Sequence, residues 1–264
     1  MQGFWLIMVD KAIPCVELEG VPFSCLGLAE TGRYIVEAAK EGRGGWVVTP
    51  NVDIVRRIVR DALFKHLVSS ADIFTPDGAP IVWAARLRGD KLAERVPGSD
   101  LFLSVCEKSA RGGLPVALIG GNPGVAEAAA IILRDRYPLL EVAGSVCPEF
   151  GFEKDERQLT ELDEFVRHSS ARIVFVGLGS PKQEHLISRL RGIRSDIWWI
   201  GVGVTFSFVA GEMARAPKWM QVIGLEWLHR MVLEPRRLIR RYLIDDLPFA
   251  LVMLLKAVIY RILR

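Results

Sequence analysis

Short, wholly apolar runs alternate along most of the chain with longer stretches of helical periodicity. Polar or glycine-rich clusters stand where one gives way to the other. Trp46-Val47-Val48 leads into Thr49-Pro50-Asn51, and Ile73-Phe74 into Thr75-Pro76-Asp77-Gly78. Val116 to Ile119 leads into GGNPG, and Ile173 to Val176 into GLGSPKQE. Apolar runs bounded by turn residues read as buried strands, and apolar residues recurring every third or fourth position as helices. The pattern predicts a helical stripe Val52, Val55, Val59, Leu63 and Leu67 after Asn51, and a short helix over Ala79 to Leu87. It predicts further helices over Val125 to Arg136, stopped by Tyr137-Pro138, and over Lys182 to Leu190, with Pro181 suited to the first turn. A last buried strand falls at Ile197 to Ile200, before GVGVTFSFVAG. Strands alternating with helices imply an α/β fold, a parallel sheet with right-handed crossovers and helices on both faces. Ligands of such sheets bind outside the carboxyl ends of the strands, where these polar clusters stand.

Near Gly211 the strand–glycine alternation ends. The rest reads as helices rich in arginine, tryptophan and leucine, which divides the chain into a body, 1–212, and a helical appendage, 213–264. Arg236, Arg237, Arg240 and Arg241 have spacings that place them on one helix face. Leu247 to Leu263 is apolar but interrupted by Lys256 and Arg261, and is short of the roughly 20 residues that cross a bilayer. Lying on a membrane surface is favoured over packing on the body or on a second subunit.

Composition changes this picture in two places. Half the residues are apolar and a quarter charged, which excludes a disordered chain. The net charge of +3 is unevenly spread: from Arg215 onward ten Lys/Arg face four Asp/Glu, so the remainder is slightly acidic. A basic tail on an acidic body suggests an anionic partner. That partner is not read as nucleic acid, because the arginines lie at the apolar end without the interleaved aromatics of a stacking groove. Cys15, Cys25, Cys106 and Cys147 form no CxxC and no ligand spacing with the four histidines, so free thiols and no metal site are expected. The apolar patch Phe4 to Val9 lacks a preceding basic segment and is too short for a signal peptide.

The candidate chemistry lies at the strand ends. A carboxylate at Asp77, between Pro76 and Gly78, could act as general base toward a hydroxyl, although Pro-Asp-Gly is also ordinary turn chemistry. Thr49 and Asn51 offer neutral hydrogen bonds, and Asn51 equally suits capping of the next helix. Arg95, in ERVPGSDL, could clamp a diphosphate or simply pair with Glu94 or Asp100. GGNPG and GLGSPKQE are glycine turns before helices, where backbone N–H groups attract phosphate, with Lys182, Gln183 and Glu184 near the second. There is no GxxxxGK[ST], no GxSxG and no Asp-x-Asp, so leaving-group charge falls to arginines, lysines and helix termini. A nicotinamide-dependent oxidoreductase remains an alternative, with GGNPG on the pyrophosphate and Glu141 on the ribose. A non-catalytic, membrane-docked nucleotide-sugar binding subunit is another.

The ordered set of Thr49-x-Asn51, Pro76-Asp77-Gly78, ERVPGSDL, GLGSPKQE and GVGVTFSFVAGEMARAPKWMQVIGLEWLHRMVLEPRRLIRRY resembles the WecG/TagA/CpsF glycosyltransferases, including the GumM type, from about Val16 through Tyr242. The resemblance implies a Rossmann-like fold with a membrane-targeting appendage and no cofactor. It implies inverting, metal-independent transfer of a sugar from a UDP-sugar to a polyprenyl-diphosphate-linked saccharide, by a peripheral enzyme on the cytoplasmic face of the inner membrane. Carried onto this chain, Asp77 matches the catalytic base, Thr49 and Asn51 line the pocket, Arg95 is an active-site arginine, and Gln183 belongs to the substrate-binding GSPKQE motif. Arg230, Arg236, Arg237 and Arg240 match the appendage that closes over the site and engages lipid diphosphate. Two positions depart from the pattern. Val204-Thr205-Phe206-Ser207 stands where the family often shows a second glycine and a Phe-Asp pair, and His185 stands where an aromatic residue is common. The transferred sugar, the acceptor saccharide and any homo-oligomer are left open.

Overall fold

The computed structural model describes residues 13–263 and, before them, the backbone of Trp5–Leu6. The apolar patch Phe4 to Val9 otherwise lies outside the described residues. The strands are β1 (Trp5–Leu6), β2 (Ile13–Leu18), β3 (Val21–Ser24), β4 (Gly45–Val48), β5 (Ile73–Phe74), β6 (Val116–Gly120), β7 (Val142–Val146), β8 (Ile173–Gly177) and β9 (Trp198–Gly201). They form one sheet in the order β1-β2-β3-β5-β4-β9-β8-β6-β7. The pairs β1–β2 and β2–β3 are antiparallel, and every pairing from β3 to β7 is parallel. The α/β architecture expected from the alternation is therefore observed.

The strands read as unbroken apolar runs because both faces of the sheet are covered. Val48, Phe74, Ala117, Ile119, Val174, Val176 and Trp199 enter one core, with Ile54, Phe64, Ile81 and Leu186 from the helices on that side. Their neighbours Val47, Ile73, Val116, Leu118, Ile173, Phe175 and Trp198 enter the other, with Ile35, Phe102 and Leu133. This is strand periodicity dividing two hydrophobic layers.

Helices Ala79–Arg88, Val125–Arg136 and Lys182–Leu190 occupy the expected positions. The stripe proposed after Asn51 does not. Two helices, Val52–Arg60 and Ala62–Val68, stand there, because Asp61 leaves helical geometry and its carboxylate caps the second by accepting from the N–H groups of Leu63 and Phe64. The change of axis leaves Val59 and Leu63 exposed and buries Ile54, Val55, Ile58, Phe64 and Val68.

The C-terminal segment is bound to the body. Helix Leu247–Leu263 packs against Ala79–Arg88, and its Met253 and Ala257 belong to the first core. The opposite face, with Leu251, Val252, Leu255, Ile259 and Ile262, is exposed. The helix thus packs on the body by one side and presents a second apolar side outward. No helix among the described residues is long and apolar enough to cross a membrane.

The expectation that four arginines share one face fails at Arg241. The stretch Arg240–Asp246 is π-helical, which shifts the register, and Arg241 turns inward to Asp53, with Nη2 2.8 Å from Oδ2. Arg56 bridges Asp53 at 2.7 Å and Asp246 at 3.0 Å, so two arginines and two buried aspartates fasten the segment to helix Val52–Arg60. Burial, and then the neighbouring Asp53, push the Asp246 carboxyl up to about 6. Arg236, Arg237 and Arg240 remain exposed.

Candidate active site

Parallel pairing places the carboxyl ends of β4, β5, β9 and β8 side by side, so the polar clusters after each strand meet along one edge. At the β4–β9 seam the Thr49 hydroxyl donates to the Gly201 carbonyl at 3.2 Å. Gly98, which opens helix Gly98–Gly112, lies against the same pair: a Cβ there would come within 3.1 Å of Thr49 Oγ1. After β5, the Asp77 N–H donates to the Pro50 carbonyl and the Val96 N–H to the Pro76 carbonyl. Three separate stretches, 49–51, 75–78 and 95–98, are thereby held together.

Asn51 caps helix Val52–Arg60, its side-chain oxygen accepting from the Ile54 N–H at 3.1 Å. Its amide nitrogen keeps its donors free of hydrogen bonds among the described residues, so capping and ligand contact are compatible. Gln183 is buried. Its oxygen accepts from the Gly203 N–H at 3.0 Å and its nitrogen donates to Glu184 at 3.0 Å. Its carboxamide packs so closely on Gly201 that a Cβ there would come within 2.6 Å. Gln183 therefore braces the turn after β9 from the start of helix Lys182–Leu190.

The appendage covers this edge. Gly224 allows the approach: its φ is +79°, and a Cβ would collide with the Ala79 methyl and meet the Trp83 ring at 3.3 Å. Helix Glu226–Leu233 follows directly. Arg95 donates to Glu226 at 3.1 Å, not to Glu94 or Asp100. Glu94 instead accepts from the Leu28 N–H at 2.7 Å, and Asp100 from Arg215 Nη1 at 2.5 Å. Arg215 Nε also reaches Glu226, at 3.2 Å.

Asp77 sits amid this group, partly buried and in no hydrogen bond or ion pair through its carboxylate among the described residues. Loss of water contact pushes its carboxyl up to about 7; Arg95 and Arg230 pull it down, while Glu226 and Asp100 add to the rise. A carboxylate poised near neutrality, without a partner of its own, can exchange a proton with a bound hydroxyl.

Asp77, Thr49, Asn51 and Arg95 thus share one edge, with Arg230 close enough to act on Asp77. Arg236, Arg237 and Arg240 are exposed, and Arg237 pairs at 2.6 Å with Glu234, which Arg230 approaches to 4.0 Å. Sequence reasoning passed over Arg215 and Glu226 at the site. Their signal was their place within RAPKW and GLEWLHR. At Ser207 the hydroxyl donates to Glu212 at 2.6 Å, and Asn122 donates to the other oxygen at 2.8 Å. A carboxylate therefore reaches that corner from position 212. These hydrogen bonds, Ser207 first, hold the Glu212 carboxyl below its ordinary value.

Residues 16–262 match the model of the Glycosyl transferase WecG/TagA/CpsF family. The chain belongs to that family. It is a glycosyltransferase. The oxidoreductase alternative also fails on geometry. Glu141 stands at the amino end of β7, where its carbonyl accepts from the Val116 N–H, at the opposite end of the sheet from GGNPG.

Proposed function

We propose that this glycosyltransferase moves a sugar from a UDP-sugar to a polyprenyl-diphosphate-linked saccharide in surface-polysaccharide synthesis, with inversion and without a metal. The observation that carries the reading is Asp77: a carboxylate with its pKa raised to about 7, facing the same edge as Thr49, Asn51 and Arg95. In the proposed step the acceptor hydroxyl attacks the anomeric carbon and gives its proton to Asp77. The bond to UDP breaks on the opposite side. Such a base typically contributes about 10²–10⁴-fold in rate. Charge growing on the departing diphosphate is met by Arg95 and Arg230, whose fixed guanidiniums need no reorganisation at the moment of reaction.

The appendage supports a peripheral enzyme on the cytoplasmic leaflet. Exposed Leu251, Leu255 and Ile262 form an apolar face, and exposed Arg236, Arg237 and Arg240 precede it on the same segment. Apolar burial in the interface and attraction to anionic headgroups act together, at about 1 kcal/mol per basic side chain near the surface. The reading is tested by incubating the protein with a panel of UDP-sugars and a short-chain lipid-diphosphate saccharide, with and without a chelator. Transfer that survives chelation is expected; absence of transfer from every UDP-sugar would refute the donor assignment.

A further inference from the structure

The groups around Asp77 are balanced in a way the transfer reaction does not need. Arg95, Arg215 and Arg230 stand with the carboxylates Asp77, Asp100 and Glu226, and Glu234 lies 4.0 Å from Arg230, so no positive charge is left unmatched. Glu226 is the pivotal one. It is only 13% exposed in its side chain and accepts from Arg95 through one oxygen and from Arg215 through the other. That is how two arginines hold a bridging phosphate, since carboxylate and phosphate oxygens suit the guanidinium fork alike. Two buried donors nearby, Arg215 Nη2 and Arg230 Nε, have no hydrogen-bond partner among the described residues. Buried cationic donors in that state are costly, and more acceptor oxygens than one carboxylate supplies would satisfy them.

We propose that Glu226 is a built-in counter-anion, whose carboxylate holds Arg95 and Arg215 where a substrate diphosphate binds and is displaced when that diphosphate enters. The proposal rests on the glycosyl-transfer reading and deepens it. A diphosphate added to the closed arrangement meets a site whose positive charge is already matched. Release of Glu226 makes two arginines available at once. Because Glu226 opens the helix that also carries Arg230, its displacement couples anion entry to the seating of the appendage over Asp77. Its cost is affinity: every anion must compete with an internal carboxylate.

The test is binding, read by tryptophan fluorescence with inorganic pyrophosphate, UDP and a short-chain isoprenyl diphosphate as separate probes. The full chain is compared with Glu226→Gln, Asp100→Asn and the charge control Glu107→Gln, whose carboxylate pairs with exposed Arg111. Glu226→Gln should bind pyrophosphate roughly three- to tenfold more tightly, as expected when a competing charge-assisted contact is removed. Asp100→Asn should move the same way, and carries the test if Glu226→Gln does not fold. Glu107→Gln should match the parent. Whichever of UDP and isoprenyl diphosphate shows the larger gain is the displacing group. Unchanged or weaker binding in both Glu226→Gln and Asp100→Asn, with the parent still binding UDP, would make Glu226 a docking strut and overturn the proposal while leaving glycosyl transfer standing. Failure of every protein to bind UDP or pyrophosphate would sink both.

Discussion

The Thr49 hydroxyl and the Gly201 carbonyl, 152 positions apart, hydrogen-bond at 3.2 Å across the seam between β4 and β9. The contact is buried and sets the spacing of the strand ends on which the site is built. Thr49→Val keeps the side-chain shape and removes the donor. It should cost about 1–2 kcal/mol, the usual consequence of leaving a buried carbonyl unsatisfied. Urea unfolding measures this directly, and an unchanged midpoint would show that the seam does not depend on the bond.

The fastening of the appendage gives a larger effect. Asp53 is 2% exposed and stands between Arg56 and Arg241. Asp53→Ala leaves Arg56 and Arg241 with Asp246 as the one carboxylate between them, and should cost about 3 kcal/mol. Limited proteolysis should then cut the chain after residue 212 faster than in the parent. Equal cutting rates would place the anchorage elsewhere, in the packing of Met253 and Ala257.

Membrane docking is best examined without truncation, since the C-terminal helix completes a core. Leu251 and Leu255 are 58% and 60% exposed, so charges there leave the fold intact. Leu251→Glu with Leu255→Glu should abolish co-sedimentation with anionic vesicles and leave the melting temperature within about 2 °C, as surface substitutions do. Retention on vesicles would show that this face is not the docking surface.

Much of this was legible from local pattern. The strand runs around Val47, Ile73, Leu118 and Phe175 are apolar without interruption because two layers cover them, and helices 125–136 and 182–190 are punctuated at both ends. The break at Asp61 was hidden because its capping role looks like one more polar residue in a helical stripe. The inward turn of Arg241 was hidden because spacing rules assume an uninterrupted α-helix. The pairing of Arg95 with Glu226 joins residues 131 positions apart, and no local signal prefers Glu226 to Glu94 or Asp100. That Thr49, Asn51 and Asp77 follow strands could be read from the sequence, but the charges that tune Asp77 could not.

The raised carboxyl of Asp77 has a defined pH signature. The base must be ionised, so kcat/KM should rise with pH through a midpoint near 7. Stability carries the opposite sign. A folded-state pKa above the ordinary 3.8 means that the folded chain holds this proton more tightly, so stability falls as pH rises from about 4 to about 7, and the full penalty of ionised Asp77 stands above that. Asp77→Asn should therefore melt higher than the parent at pH 8, with the difference vanishing toward pH 4. A parent profile flat from about pH 5 to about pH 9 would deny Asp77 the titrating role.

The central claim is that Asp77 accepts the proton of the attacking hydroxyl. The most direct measurement is single-turnover sugar transfer by Asp77→Asn, made alongside UDP binding by the same protein. Transfer slowed by about 10²–10⁴-fold with UDP binding retained is the predicted result. Transfer at the parent rate would contradict it.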